Sequence, residues 1–186
     1  VTTKTAEDMW INEGFAEFGS HFYEEKIYGR AQYVTTVQRN QAVVLKSAAQ
    51  NDGGHLALSG VNQDQTYGTH TYQKGAMVAH NLREFLGDSL FSVGVKHLIA
   101  SNTFGNYDFL TFKAAFEAGT GVNLDTFWND WITSPGYHGA SVYIDQNSTS
   151  AASAVKPVVI LPLRSNVPPS SLATGHSTPV HVYKHS

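Results

Sequence analysis

The stretch W-I-N-E-G-F-A, residues 10–16, places an acidic side chain, Glu13, inside an apolar helical pattern. Trp10, Phe15 and Phe18 recur around it at roughly helical spacing. Burying an unpaired carboxylate is costly, so a buried Glu13 needs a proton, a cation or a metal ion. Since Glu is also a good helix former, the alternative is that Glu13 simply faces water.

A second stretch, T-Y-Q-K-G-A at residues 71–76, places a tyrosine just before an apolar helix. The phenol of Tyr72 is neutral at working pH and donates a hydrogen bond from a rigid ring, which suits a group that stabilises an oxyanion. The alternative is that Tyr72 caps the helix that follows and packs on its neighbours. Tyr67 lies in the same loop, but no Lys-Gly follows it at the required spacing.

In this order, the two stretches resemble the W-L-N-E-G-F-A and Tyr-x-Lys-Gly motifs of the zinc aminopeptidases related to aminopeptidase N, a branch of the thermolysin-like gluzincins. The resemblance covers residues 1 to about 144. It implies that Glu13 is the third zinc ligand and that Tyr72 donates to the oxyanion of the tetrahedral intermediate. It also implies a mainly α fold, the helical C-terminal half of a thermolysin-like gluzincin catalytic domain, followed by a short β segment.

In that family a His-Glu-x-x-His helix supplies the other two zinc ligands and the general base, and the Zn²⁺ polarises the scissile carbonyl and activates a water. No His in this sequence is followed by Glu, so the motif is absent from the chain. The family places eighteen residues between the second His and the Glu ligand. Residues 1–12 supply twelve of them, so the second His is expected seven positions before Val1.

We therefore predict a fragment of a zinc metallopeptidase, with an aminopeptidase as the first choice and a peptide as substrate. The chain is expected to hold one zinc ligand, to need the upstream part of the same polypeptide and to be inactive alone. The upstream elements that bind a free amino terminus in this family are also absent, so exopeptidase and endopeptidase both remain open. The alternative function is a catalytically dead helical scaffold or binding module of the same fold.

Glu17 lies four residues after Glu13, on the same helix face. Thermolysin-like enzymes can place an acid at this distance, where it orients a ligand His. The aminopeptidases usually place that acid seven residues after the ligand, where this chain has Ser20. Glu17 is therefore either an orienting acid or a residue of a solvated helix face.

Composition excludes several classes of function. The chain has 186 residues, of which 41% are hydrophobic and 15% charged, as in a soluble globular protein. A net charge of −3 with scattered Lys and Arg offers no basic patch for nucleic acid. No apolar run reaches the length of a membrane span. The absence of Cys excludes disulfides and thiolate metal sites, and favours a secreted or periplasmic protein while leaving a cytoplasmic one open.

The helical pattern divides the chain into two predicted parts. Residues 1–139 form the helical part of the catalytic domain, and residues 140–186 form a β-rich extension and partly disordered tail, a candidate start of a β-sandwich. Within the first part, Thr5-x-x-Asp8 predicts a helix start near Thr5 or Ala6, and Gly29 predicts its end. Helices are also expected over residues 29–50, 72–87, 88–99, 109–118 and 124–131, with a loop over residues 51–71.

The pair His181 and His185 has the His-x-x-x-His spacing of a zinc motif. Val182 stands where the general base would be required, and the alternating pattern predicts an extended segment. In a strand, side chains four positions apart lie roughly 13 Å from each other. We therefore expect no metal site there.

Overall fold

Helix α1 (Trp10–Tyr28) contains the first stretch and packs against α2, α3 and the turn before α3. The computed structural model describes residues 2–49 and 55–136. Trp10, Ile11 and Phe18 are buried on the inner face of α1. The helix ends at Gly29, which has a φ of 88°, so the predicted end is confirmed.

The predicted start of α1 is wrong by several residues. Residues Ala6–Asp8 form a single 3₁₀ turn, and the α-helix begins only at Trp10. Thr5 makes no side-chain capping hydrogen bond. The physical reason is that Asp8 is buried and bound elsewhere: its carboxylate accepts a hydrogen bond from Ser59 Oγ and one from the Phe109 amide at 3.0 Å.

Helix α2 (Arg30–Ala49) follows α1 directly and returns alongside it. Tyr33, Val37 and Val44 are buried and form an apolar stripe along the helix. Leu45 is 50% exposed. It follows Val44 by one residue, and one residue turns a helix by about 100° and so away from the buried face.

The predicted loop before the third helix is shorter than expected. Its described part, residues 55–69, is irregular apart from a 3₁₀ turn, Gln63–Gln65. A π-helical turn, His70–Lys74, then leads into helix α3 (Gly75–Ser101), so the helical backbone begins two residues before Tyr72. Within α3 the backbone leaves the helical region at Gly87, with φ 75° and ψ 157°, so two helical segments meet at a kink where the sequence predicted one helix to end and the next to begin.

Arg83 holds α1 and the two halves of α3 together around this kink. Its buried guanidinium donates to Glu25 Oε2 and to Asp88 Oδ1, both at 2.6 Å. It also lies over the rings of Phe22 and Tyr33. A buried cation that donates hydrogen bonds to two carboxylates fixes the relative position of the helices that supply these carboxylates.

The last helices are α4 (Phe109–Thr120) and α5 (Asp125–Trp128), which continues into a π-helical turn, Asn129–Thr133. Asp108 is the N-cap of α4. The amide of Thr111 donates to Asp108 Oδ1 at 2.7 Å, and this bond together with Lys4 lowers the pKa of Asp108 to about 2.

The core is an aromatic cluster between α1, α4 and α5. Phe112 contacts Phe15, Trp10 and Trp128 with ring centroids 5.0, 5.7 and 6.1 Å apart. Beside it, β1 (Thr2–Thr3) pairs in parallel with β2 (Asn106–Tyr107), and the Lys4 amide extends the pairing to the Tyr107 carbonyl at 2.8 Å. The sequence pattern gave no signal for this small sheet, because each strand has only two residues.

The mainly α prediction is confirmed. All described residues belong to one compact unit, Val1–Tyr137. The predicted boundary at residue 139, the β-rich extension expected over residues 140–186, and the pair His181 and His185 lie outside the described residues and stay predictions. None of the described helices combines the length and the apolar character that a bilayer-crossing segment requires.

Candidate active site

The two sequence stretches meet where α1 crosses the turn before α3. A Cβ built on Gly14 would lie 2.8 Å from Gly75 Cα and 3.0 Å from the Thr71 carbonyl oxygen. The backbones therefore approach as closely as two glycines allow. Glu13 precedes one glycine and Tyr72 lies three residues before the other, so this crossing brings the two predicted site residues to the same place.

Glu13 is half-buried near the start of α1. Its Oε1 accepts a hydrogen bond of 3.3 Å from Asn12 Nδ2, and within residues 2–49 and 55–136 its Oε2 has no partner. The carboxylate is neither fully solvated nor neutralised by a cation in the described part of the chain. One oxygen is thus available to a ligand, which fits a metal-binding carboxylate.

Tyr72 lies in the middle of the π-helical turn and is half-buried. Burial raises the pKa of its phenol, and the negative charge of Glu13 and the neighbouring Tyr67 raise it further. Among the described residues, the phenol oxygen makes no hydrogen bond. Since the helical backbone starts at His70, Tyr72 is not a helix cap, and its hydroxyl is a protonated donor without an assigned acceptor.

Tyr67 packs on Tyr72. The ring centroids are 6.4 Å apart and the planes differ by 24°, a stacked arrangement. Tyr67 itself is largely exposed, so one face of the pair is open to solvent. Isolated π-helical turns occur frequently at functional sites, and Tyr72 lies in such a turn.

Glu17 follows Glu13 on α1 and approaches His21 on the same helix. Its Oε1 lies 3.4 Å from His21 Nε2, and Asn40 Nδ2 lies 3.3 Å from the same buried nitrogen. Glu17 is about one-third exposed (34%). Ser20, at the position of the usual family acid, is exposed and donates to the Glu17 carbonyl at 2.8 Å. Whether Glu17 orients an upstream His stays a prediction.

Lys74 is the residue of this site that sequence reasoning missed. It is 2% exposed, and its ammonium donates to the Leu56 carbonyl and, at 2.6 Å, to the Gly136 carbonyl. Burial lowers the pKa of Lys74 to about 8. The sequence contained one signal, a lysine directly before the apolar run of residues 75–79. It contained none for the acceptors, which are backbone carbonyls far away in the chain.

His70 opens the same turn and is also buried. Burial lowers its pKa, and the positive charge of Lys74 lowers it further. Its Nε2 lies 3.1 Å from Thr71 Oγ1, which in turn donates to the Thr66 carbonyl at 2.8 Å. These bonds fix the residues on the N-terminal side of Tyr72, as Lys74 does on the C-terminal side.

The described residues include no group of three or more His, Cys, Asp or Glu side chains that could hold a metal ion. Glu13 is a single carboxylate with one free oxygen. In residues 2–49 and 55–136, the donor set thus fits one ligand of a metal site and not a complete one.

Comparison with known proteins gives a family match and several relatives. The peptidase family M1 domain matches residues 1–131. A probable aminopeptidase 2 from Sulfurisphaera tokodaii is 26% identical over 153 residues, covering 80% of this chain and 19% of that protein. Aminopeptidase M1 from Arabidopsis thaliana is 24% identical, with 77% of this chain and 17% of that protein covered. Aminopeptidase N from Lactococcus lactis is 26% identical, with 74% and 17% covered.

The matched segment thus spans less than a fifth of the length of these relatives. The match begins at the first residue of the chain and includes both stretches described above, the one around Glu13 and the one around Tyr72.

Proposed function

The chain belongs to peptidase family M1, and on that basis we propose that it is the helical part of the catalytic domain of a zinc aminopeptidase. The observation that supports the proposal is the backbone contact of Gly14 with Gly75, together with the effect of the Glu13 charge on the pKa of Tyr72. A free carboxylate oxygen and an unpartnered phenol in one region are the two donor types that a metallopeptidase requires.

In this proposal Glu13 is one zinc ligand, through the oxygen that Asn12 leaves free. The other two ligands and the general base come from a His-Glu-x-x-His segment whose second His is expected seven positions before Val1. When bound, zinc supplies Lewis-acid polarisation of the peptide carbonyl and lowers the pKa of a bound water.

Tyr72 donates a hydrogen bond to the oxyanion that forms when water adds to the peptide carbonyl. Its raised pKa keeps the phenol protonated well into the alkaline range, so the donor is present at working pH. The stack with Tyr67 and the π-helical turn fix the direction of the ring before substrate binds. Such preorganised donors lower the barrier because they need no reorganisation during the reaction.

The substrate in this proposal is a peptide, cleaved at its amino-terminal end, as the names of the relatives state for those proteins. A secreted or periplasmic compartment is the first choice in this proposal, and a cytoplasmic one stays open. The chain needs the upstream part of its polypeptide for activity and is inactive without it.

The first test is to determine the coding sequence immediately upstream of Val1. We expect His-Glu-x-x-His with its second His seven positions before Val1. A polypeptide that includes this segment should bind zinc and release amino-terminal residues from peptides, and Glu13→Gln should abolish both. A start codon or a broken motif at that place would sink the peptidase proposal, and the chain would then be a helical scaffold.

A further inference from the structure

A buried lysine without an acidic partner lies in the same turn as Tyr72. Lys74 is 2% exposed, and no carboxylate contacts its ammonium within residues 2–49 and 55–136. Lysine is almost never fully buried unless it is paired, because the charge loses its hydration. A methionine of similar length would fill the same space at a lower cost. The function of the buried ammonium therefore lies in the groups to which it donates hydrogen bonds.

Those donors join two segments that are far apart in the sequence. One acceptor is the Leu56 carbonyl, at the beginning of the loop before α3, and the other is the Gly136 carbonyl, after the last π-helical turn. The two segments also pair with each other. The Leu58 amide donates to the Ile132 carbonyl at 2.9 Å, and the Gly136 amide donates to the His55 carbonyl at 2.7 Å.

Lys74 therefore adds a second anchor to the turn of Tyr72. The turn and the residue after it are in backbone contact with Gly14, and the turn is also bound through the ammonium to Leu56 and Gly136. The loop that contains Leu56 also contains Tyr67, the ring on which Tyr72 stacks. Lys74 thus binds the loop of Tyr67 and lies in the same turn as Tyr72.

We propose that Lys74 is a positioning residue that holds the Tyr72 side chain in place by binding the Leu56 and Gly136 carbonyls. The inference rests on the proposed function of Tyr72. Lys74 does not touch the substrate, and it acts only through the geometry of the turn. Without its donors, the loop and the C-terminal segment lose their common anchor, and the Tyr72 ring becomes free to turn away from the Glu13 carboxylate.

The charged and titratable groups around Lys74 are few. His70 opens the same turn and is neutral near pH 7, because burial and the Lys74 charge lower its pKa. Asp8 binds Ser59 on the paired loop, and the side chain of His55 is exposed to solvent. In the described part of the chain, only Lys74 combines full burial with titration above pH 7 in this region.

The test is a double-mutant cycle with Lys74→Met and Tyr72→Phe in the full-length polypeptide. We expect Lys74→Met to lower kcat about tenfold or more with little change in KM. The reason is that a misplaced Tyr72 phenol stabilises the transition state less, while substrate binding is little affected. In the Tyr72→Phe background the same substitution should change kcat less than about twofold. Lys96→Met, which removes an exposed lysine from α3, is the matched control and should leave kcat unchanged.

The cycle separates failure of the inference from failure of the proposed function. If Tyr72→Phe does not lower kcat, the role of Tyr72 is wrong. If Tyr72→Phe lowers kcat but the losses of the two variants multiply, Lys74 is merely structural and the inference is overturned. An unchanged kcat in Lys74→Met overturns it as well.

A second measurement needs no activity and uses the 186-residue chain labelled with ¹³C in its tyrosine rings. The Tyr72 resonance, assigned by its loss in Tyr72→Phe, should move with a midpoint near pH 8 as Lys74 loses its proton. The resonance of the exposed Tyr23 should not move in that range. Absence of this inflection for Tyr72 overturns the inference. The measurement follows the chain that retains Lys74, so it tests the inference even if Lys74→Met fails to fold.

Discussion

Gly14 and Gly75 are in backbone contact although 61 positions separate them in the sequence. A Cβ on Gly14 would lie 2.8 Å from Gly75 Cα, and a Cβ on Gly75 would lie 2.9 Å from Gly14 Cα. Real side chains do not tolerate such distances, so neither position accepts even alanine without a shift of the helix axes. The relative position of the Glu13 carboxylate and the Tyr72 phenol depends on this contact.

Gly14→Ala should lower the free energy of unfolding by about 1–3 kcal/mol, because overpacking must separate α1 from the turn before α3. Gly19→Ala is the matched control on the same helix, where nothing lies within 4 Å of the added methyl group. That control should raise stability by about 0.5–1 kcal/mol through helix propensity. Chemical denaturation of both variants measures the difference, and equal effects of the two substitutions would contradict the backbone contact.

Asp8→Ala should lower the free energy of unfolding by about 1–3 kcal/mol, because it leaves the buried Ser59 hydroxyl and the Phe109 amide without an acceptor. Glu7→Gln alters the exposed neighbouring residue and should change stability by less than about 0.5 kcal/mol. Thermal and urea unfolding measure both variants. If Asp8→Ala is as stable as the control, the carboxylate does not anchor α4 to the start of α1.

Tyr72→Phe, in a polypeptide that includes the upstream segment, should lower kcat by about 10²-fold or more, with a small change in KM. Stability should stay near that of the parent, because no described residue accepts a hydrogen bond from the phenol. Because the pKa of Tyr72 is raised, loss of the phenol proton should not lower the activity of the unsubstituted protein below about pH 10. An alkaline limb near pH 8 that persists in Lys74→Met and disappears in Tyr72→Phe is the opposite result.

The stability of the parent should rise between pH 8 and pH 10. Lys74 has a pKa of about 8 in the folded chain and an ordinary value of 10.5 when unfolded. In this window the unfolded chain binds more protons, so the free energy of unfolding increases with pH, by on the order of 2 kcal/mol. Above pH 10 the trend reverses, since burial raises the pKa of Tyr33 to about 12 and stability that depends on its protonated form is lost there.

The measurement for this prediction is urea unfolding at pH 8, 9 and 10, with Lys74→Met as the reference. The variant lacks the buried amine and should show a flat profile over that range. A parallel fall of stability in both proteins would show that Lys74 titrates normally.

Glu13→Gln should lower the zinc affinity of the polypeptide with the upstream segment by more than the 10–100-fold that loss of an orienting partner typically costs. Glu17→Gln should change it by less than about threefold, because the Glu17 carboxylate approaches His21 on its own helix. Competition titration with a zinc chelator measures both variants. Comparable losses would instead assign Glu17 to the orientation of a ligand His.

The sequence predicted the helical elements where the signal is local. The φ of 88° at Gly29 requires a residue without a Cβ, and Asp108 has a side chain of the length needed to accept the third amide of α4. A prediction was wrong where residues distant in the sequence bind a side chain that the local pattern assigned to a helix start. The pattern Thr5-x-x-Asp8 was predicted to start α1 near Thr5 or Ala6, but the Phe109 amide and the Ser59 hydroxyl bind the Asp8 carboxylate instead.

By itself, the sequence determined that the chain is mainly α and that Glu13 and Tyr72 are its two candidate site residues. Both conclusions rest on neighbours within a few positions, since helix periodicity and short motifs are local properties of the chain. Only the tertiary structure decided that Gly14 and Gly75 are in contact, that the Lys74 ammonium binds the Leu56 and Gly136 carbonyls, and that the Glu13 carboxylate raises the Tyr72 pKa. The physical reason is that close packing and the burial of polar groups depend on which distant segments share one interior, and no short stretch of sequence contains that information.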